Sequence, residues 1–84
     1  MTELTVQVPE SAFAALRKDP GEFVSEMRIA AAVKWYEMGM ISQEKGAEIA
    51  GLSRAKFISA LNRFHVSPLQ YSPEDLREEL KDAD

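Results

Sequence analysis

The side chains best suited to chemistry in this sequence fall on one predicted helix, and they are the types that contact nucleic acid. Arg54 can donate two hydrogen bonds to the major-groove edge of a guanine, and Asn62 can make the matching pair with an adenine. Lys56 and the hydroxyls of Ser53 and Ser59 suit phosphate oxygens, which position a protein on a duplex without reading its sequence. The candidate DNA contacts on this helix are Ser53, Arg54, Lys56, Ser59, Asn62 and Arg63.

A helix-turn-helix is the element that would present these side chains, and residues 42–66 meet its requirements. Ser42 caps a helix over residues 43–50, and Ala47 is the small side chain needed where two steeply crossing helices touch. Gly51 then tolerates the positive φ of the turn. The pattern therefore predicts a first helix that ends in a tight turn just ahead of the DNA-contacting helix.

The second helix of this pair is predicted over residues 54–64, with Ser53 as its N-cap. Three apolar residues recur at i, i+4 and i+7 and form a seam that faces the first helix: Phe57, Leu61 and Phe64. A DNA-binding helix places its N-terminal residues against base edges, which is where Arg54 lies. The alternative is an ordinary helical hairpin with a solvated charged face, and such hairpins also serve as protein contacts.

Charge is distributed unevenly along the 84 residues, whose ten Lys and Arg and fourteen Asp and Glu give a net charge of −4. Residues 1–27 carry −3, residues 28–66 carry +3 and residues 67–84 carry −4. The basic segment includes the predicted helix-turn-helix. Although the whole chain is acidic, this segment therefore carries positive charge that favours contact with phosphates. Two copies would double the phosphate contacts and offer two half-sites about one DNA turn apart.

Leu4, Val6 and Val8 alternate with polar residues near the N-terminus, which is the period of a half-buried β-strand that Pro9 would end. Since the chain holds no second strand candidate, this strand is predicted to pair with its own copy across the two-fold axis of a homodimer. An unpaired extended arm is the alternative.

Two helices are predicted between this strand and the helix-turn-helix. A short one opens at Pro9. A long one has Asp19 as its N-cap and Pro20 at its first position, and Gly39 ends it. The long helix carries a broad apolar surface of Phe23, Val24, Met27, Ala31, Val33, Trp35 and Met38. Its three consecutive alanines, residues 30–32, allow another helix to approach closely, and a symmetry mate is one candidate for that helix.

Residues 67–84 form a separate acidic segment in which Ser72 and Pro73 predict the start of a helix over residues 73–81. Its apolar residues are too few for a core, so they either fold back onto the domain or dock in a groove of a partner protein with a basic surface. A frayed, solvated tail is the alternative. The candidate partner-binding residues are Leu69, Tyr71, Leu76 and Leu80.

The residues present do not indicate catalysis. The chain has no cysteine and His65 is its only histidine, so neither a zinc site nor a nucleophile–base pair assembles within one chain. We therefore expect no enzyme activity, no metal and no cofactor. No secretion signal and no apolar run of membrane length is visible, so we expect the protein in the cytoplasm without membrane contact.

The stretch of residues 34–66 resembles the small prokaryotic proteins grouped as uncharacterised protein family zero-one-seven-five. Residues 36–57 follow the family's pattern Y-x-x-G-x-I-S-x-x-K-A-A-E-x-A-G-x-S-R-x-x-F, with Gly46 where the family usually has alanine. The resemblance implies an antitoxin-like protein, a DNA-binding partner of a toxin that often has a PIN-like nuclease domain. It marks Ser42, Lys45, Ala47, Gly51, Ser53, Arg54 and Phe57, and thereby adds Ser42 and Lys45 to the candidate DNA contacts.

Together these patterns predict a mainly α fold with a short N-terminal strand, a helix-turn-helix and an acidic C-terminal helix. Residues 1–41 would dimerise, residues 42–66 would bind DNA and residues 67–84 would bind a partner. The expected function is that of an antitoxin of a type II toxin–antitoxin system, which regulates its own operon and neutralises a toxin, with a PIN-domain nuclease as the candidate toxin. The alternative is a protein-binding adaptor that uses the helical hairpin without binding DNA.

Overall fold

The computed structural model describes residues 2–69, and the fold over this range is mainly helical, as predicted. The helices are α1 (Ser11–Leu16), α2 (Pro20–Glu37), α3 (Gln43–Ala50) and α4 (Arg54–Arg63). The helix predicted over residues 73–81 lies outside the described residues, as do the candidate partner-binding residues Tyr71, Leu76 and Leu80.

The N-terminal strand predicted from Leu4 to Val8 does not form in the single chain. Residues 2–9 are neither helix nor strand, and the side chains of Leu4 and Val6 are exposed. A β-ladder needs a second strand, and residues 2–69 contain none, so the alternation of apolar residues alone does not produce one. Helix α1 likewise begins at Ser11 and not at Pro9, whose carbonyl instead accepts a hydrogen bond from the N–H of Ala12 at 3.0 Å.

The starts of α2, α3 and α4 follow the predicted capping residues. Each helix begins after a side chain whose oxygen accepts a hydrogen bond from a backbone N–H three residues further on, which satisfies one of the free donors of the first turn. The pairs are Asp19–Glu22 at 2.8 Å, Ser42–Lys45 at 3.1 Å and Ser53–Lys56 at 3.2 Å. The bond from the Glu22 N–H also holds the pKa of the Asp19 carboxyl below its usual value of 3.8.

Each described helix ends at a residue in the left-handed conformation, and only two of these residues are glycines. They are Arg17 (φ 55°), Gly39 (φ 77°), Gly51 (φ 73°) and His65 (φ 59°). After α4, the His65 N–H donates to the carbonyl of Asn62 at 3.0 Å and the Val66 N–H donates to that of Leu61 at 2.8 Å. These two bonds close the helix in the manner of a Schellman motif.

We expect replacement of His65 by glycine to raise the free energy of unfolding by about 0.5–1 kcal/mol. The left-handed conformation costs a residue with a β-carbon about 1–2 kcal/mol, and the greater backbone entropy of glycine offsets part of that gain. Urea unfolding followed by circular dichroism measures the difference. Gly51→Ala is the matched control and should change stability in the opposite direction; a His65→Gly variant no more stable than the wild type would contradict the expectation.

The core lies where α2 packs against α3 and α4, and Tyr36, Phe57 and Leu61 are its largest fully buried side chains. The rings of Tyr36 and Phe57 meet edge to face, with centroids 6.1 Å apart. Gly46 permits this packing, since a β-carbon there would lie 2.6 Å from Cζ of Phe57. Ala47 is buried as the helix-turn-helix pattern requires, but Gly46 is the residue against which the α4 ring lies.

Candidate nucleic-acid interface

Helix α4 turns one side toward the core and leaves the opposite side open. Phe57, Ala60 and Leu61 are buried. At about 100° per residue, Ala55, Ser59 and Asn62 fall on the opposite side, and all three are exposed. Lys56 and Arg63, two turns apart, border this row along one edge and are also exposed. We call these five residues the outer face of α4: Ala55, Lys56, Ser59, Asn62 and Arg63.

The outer face of α4 has small or polar side chains along its central row and basic side chains along one edge. The Ser59 hydroxyl donates to the carbonyl of Ala55 at 3.3 Å, so this side chain lies back along the helix. Within residues 2–69, the side chains of Lys56 and Asn62 make no hydrogen bond or ion pair. Small side chains let a helix backbone approach the floor of a groove, and a cation at the side suits the phosphates that line it.

Arg54 lies at the edge of α4 nearer the core, and α3 holds its side chain. Its Nε donates to Oε1 of Gln43 at 3.0 Å. Gln43 is buried, and its Nε2 donates to the carbonyl of Pro68 at 2.6 Å and to the hydroxyl of Tyr36 at 3.3 Å. The Tyr36 hydroxyl also donates to Pro68, at 2.9 Å. We call these four residues the Gln43 network; it orients Arg54 at the N-terminus of α4 and attaches the chain beyond α4 to the same place.

Arg63 has a structural contact as well as an exposed position. Its Nη2 pairs with Oε1 of Glu26 on α2 at 2.9 Å, and its guanidinium lies 5.0 Å from the ring centroid of Phe64. Removal of Arg63 would therefore alter the α2–α4 contact together with any DNA contact. The same holds for Arg54 in the Gln43 network, so Lys56 and Asn62 are the better positions for testing DNA binding alone.

The remaining predicted contacts lie at the starts of the helices. Ser42 and Ser53 are the N-caps of α3 and α4, and each keeps its hydroxyl proton to donate elsewhere. Lys45 pairs with Glu48 at 2.9 Å on the surface of α3, and this hydrogen bond raises the pKa of Lys45. Leu69, the one candidate partner-binding residue within the described range, is 76% exposed.

Two residues that position this region carry no recognisable sequence signal. Arg28 of α2 donates from Nε to the carbonyl of Ile49 at 2.8 Å, and its guanidinium lies over Gly51, so it secures the turn between α3 and α4. Gln43 is the second. A glutamine in the first turn of a helix ordinarily faces water, and a basic residue on a long helix is ordinarily a solubilising charge. Only the packing of distant segments gives these two their roles.

Two further features bear on what the described residues can do. Residues 2–69 contain no group of three or more histidine, aspartate or glutamate side chains placed to hold a metal ion. In the same range, no helix has both the length and the apolar character needed to cross a membrane.

Comparison with known proteins places this small helical chain in a family. The model of the Uncharacterised protein family UPF0175 matches residues 1–84. Two UPF0175 proteins of Aeropyrum pernix are each 40% identical to the chain, one over 80 residues (95% of this chain, 84% of the relative) and one over 60 residues (71% and 76%). A UPF0175 protein of Archaeoglobus fulgidus is 38% identical over 55 residues (66% and 62%). The chain belongs to UPF0175. No solved structure matches it at a significant level.

Proposed function

We propose that this protein is a DNA-binding antitoxin in which α3 and α4 act as a helix-turn-helix. The observation that carries the DNA-binding part is the outer face of α4, a row of small and polar side chains bordered by Lys56 and Arg63 on an otherwise firmly packed helix. It lies within residues 28–66, the one of the three segments that carries a net positive charge. On this proposal the protein acts in the cytoplasm by binding and catalyses no reaction.

In the proposed complex, α4 lies in the major groove with its N-terminus toward the base edges. Asn62, in the last turn of α4, contacts a base from the central row of the outer face. Lys56 and Arg63 contact the phosphates along one wall of the groove. Arg54 enters from the other edge, held at its angle by Gln43. Ser42, Lys45 and Ser53 at the helix starts face the backbone, where hydroxyls and N-terminal N–H groups suit phosphate oxygens.

The rest of the proposal concerns partners. We propose a homodimer in which residues 4–8 pair as strands only when two copies meet, and which places two α4 helices about one DNA turn apart. Residues 67–84 would neutralise a toxin, for which a PIN-domain nuclease is the candidate. The resemblance to antitoxin-like proteins supports the proposal that the partner is a toxin. The exposed side chain of Leu69, near the start of this segment, is consistent with an apolar contact there.

Replacement of Lys56 by glutamine should weaken binding to duplex DNA of any sequence. Each lost phosphate contact lowers the slope of log K against log salt by about 0.9, so two copies should lose about two units of slope. Fluorescence anisotropy over a series of salt concentrations measures the slope.

Lys18→Gln is the matched control, since it removes the same charge before α2, and it should leave the slope unchanged. Equal slopes for Lys56→Gln and the wild type would contradict the assigned face. A wild-type protein that fails to bind duplex DNA at low salt would favour the adaptor function instead.

A further inference from the structure

Helix α2 carries apolar residues on two sides, and within residues 2–69 only one of these sides is covered. Ala32, Val33 and Tyr36 are buried against α3 and α4. A second set lies along the other side of the helix with large side chains in contact with water: Val24 (50% exposed), Met27 (36%), Trp35 (40%) and Met38 (61%), with Ala31 half-buried among them. We call these five residues the α2 stripe. A helix that is apolar all round is typical of a buried helix, whereas a surface helix has a polar face.

The α2 stripe is narrow and continuous. At about 100° per residue its five members fall within about 80° of the helix circumference, and at 1.5 Å per residue they extend over about 21 Å. Contiguous exposed apolar surface of this kind marks an interaction site on a protein that stays in solution. The α2 stripe is therefore expected to pack against a partner, and the spacing of its five residues indicates which partner.

We infer that the α2 stripe is the contact between two copies of this chain, which cross antiparallel with Ala31 on the two-fold axis. The stripe is symmetric about Ala31, because Met27 and Trp35 are each four residues away and Val24 and Met38 are each seven away. In an antiparallel pair, Met27 of one copy meets Trp35 of the other, and Val24 meets Met38. Such self-complementarity is what an isologous two-fold interface requires.

The side chains of the stripe fit each other in size and chemistry. The small side chain of Ala31 lets the two helix backbones approach closely at the axis. Away from the axis, the thioether of Met27 faces the indole of Trp35, a favourable sulfur–aromatic contact that occurs twice in the dimer. A large side chain therefore faces another large side chain at each end, and the small residues meet in the middle.

The charges beside the α2 stripe do not oppose this contact. Lys34 pairs with Glu37 at 2.8 Å, so the stripe has a neutral pair on one flank. On the other flank, Arg28 turns away to bond the carbonyl of Ile49. Burying a charge without a partner is costly, and the described structure requires none to be buried here. The inference deepens the homodimer of the proposed function and rests on that function only for the presence of two copies.

Charge substitutions at Ala31 test whether this residue lies on the axis. Ala31→Lys places two ammonium groups face to face and Ala31→Glu places two carboxylates face to face. Each variant alone should therefore have a dissociation constant about tenfold or more above that of the wild type. An equimolar mixture should form a heterodimer, since only a residue on the axis meets its own counterpart. Native mass spectrometry of the full chain at micromolar concentration gives the masses, and circular dichroism checks that each variant is folded.

Ser25→Lys, at an exposed position of α2 outside the α2 stripe, is the matched control and should dimerise like the wild type. A monomeric wild type, or Ala31 variants that dimerise as the wild type does, would overturn the inference. So would folded variants whose mixture gives no heterodimer. The masses are measured without DNA, so the two outcomes can be told apart. A chain that dimerises as described but binds no duplex overturns the proposed DNA binding and leaves this inference intact. A DNA-binding monomer overturns this inference together with the proposed homodimer, and leaves the proposed DNA binding intact.

Discussion

Replacement of Phe57 by alanine is expected to lower the free energy of unfolding by about 3–5 kcal/mol, the usual range for a fully buried phenylalanine. The Phe57 ring is completely buried, packs edge to face on Tyr36 and lies against Gly46, so the substitution leaves a cavity between all three core helices. A small domain has about 5–15 kcal/mol of total stability, so a large part of the protein should unfold without denaturant.

Urea unfolding followed by circular dichroism measures the loss. Phe64→Ala is the matched control, because Phe64 is the same residue type at the end of the same helix but only half-buried. Phe64→Ala should lower the free energy of unfolding by clearly less than Phe57→Ala does. A Phe57→Ala protein as stable as the Phe64→Ala protein would contradict the described core.

The second large effect is expected at Asn62, where alanine should weaken binding to the protein's own upstream DNA and leave binding to unrelated duplex unchanged. A bidentate contact to a base contributes about 1–3 kcal/mol of discrimination, and a homodimer makes the contact twice. Since 1.4 kcal/mol corresponds to about tenfold, the affinity should fall by a factor of about 30 or more. Anisotropy titrations with the two duplexes measure both affinities.

Asn62→Ala should not destabilise the fold, because the Asn62 side chain makes no hydrogen bond or ion pair within residues 2–69 and alanine is the better helix former. A loss of affinity would therefore not result from unfolding. Ser59→Ala serves as the control on the same face, since the Ser59 hydroxyl bonds its own helix and should contribute less to base reading. If Asn62→Ala weakened both duplexes equally, Asn62 would contact the backbone and not a base.

Local features of this fold could be predicted from the sequence because their causes lie within a few residues. Asp19, Ser42 and Ser53 cap helices through N–H groups three residues away, and Gly39 and Gly51 take the left-handed conformation that ends a helix. The N-terminal strand shows the limit of this reasoning. Alternating residues describe one strand, whereas the hydrogen bonds that make a strand belong to a pair.

The contacts that position the candidate interface depend on segments far apart in the chain, and no spacing predicts them. Gln43 bonds Pro68 across 25 residues, and Arg63 pairs with Glu26 across 37. Gly46 is a similar case. Its sequence context suggests only a weaker helix, but in the structure the missing β-carbon makes room for Phe57. These residues explain why the α4 face is held firmly, and hence why it suits recognition.

The Gln43 network also brings the start of the proposed toxin-binding segment close to the proposed DNA-binding helix. The carbonyl of Pro68 is bonded by Tyr36 and Gln43, and Gln43 in turn holds Arg54. The chain therefore leaves the helical core beside the N-terminus of α4. On the proposed function, the segment that contacts a toxin begins next to the end of the helix that enters the groove.

On the proposed function this protein reads the sequence of DNA, and titration against two duplexes tests that reading. The full chain is titrated, at physiological salt, against its own upstream region and against a scrambled duplex of the same length and composition. Specific binders prefer their site by a factor of about 10³ or more, and we expect that preference here. Equal affinity for the two duplexes, or no binding to either, would contradict sequence-specific DNA binding by this protein.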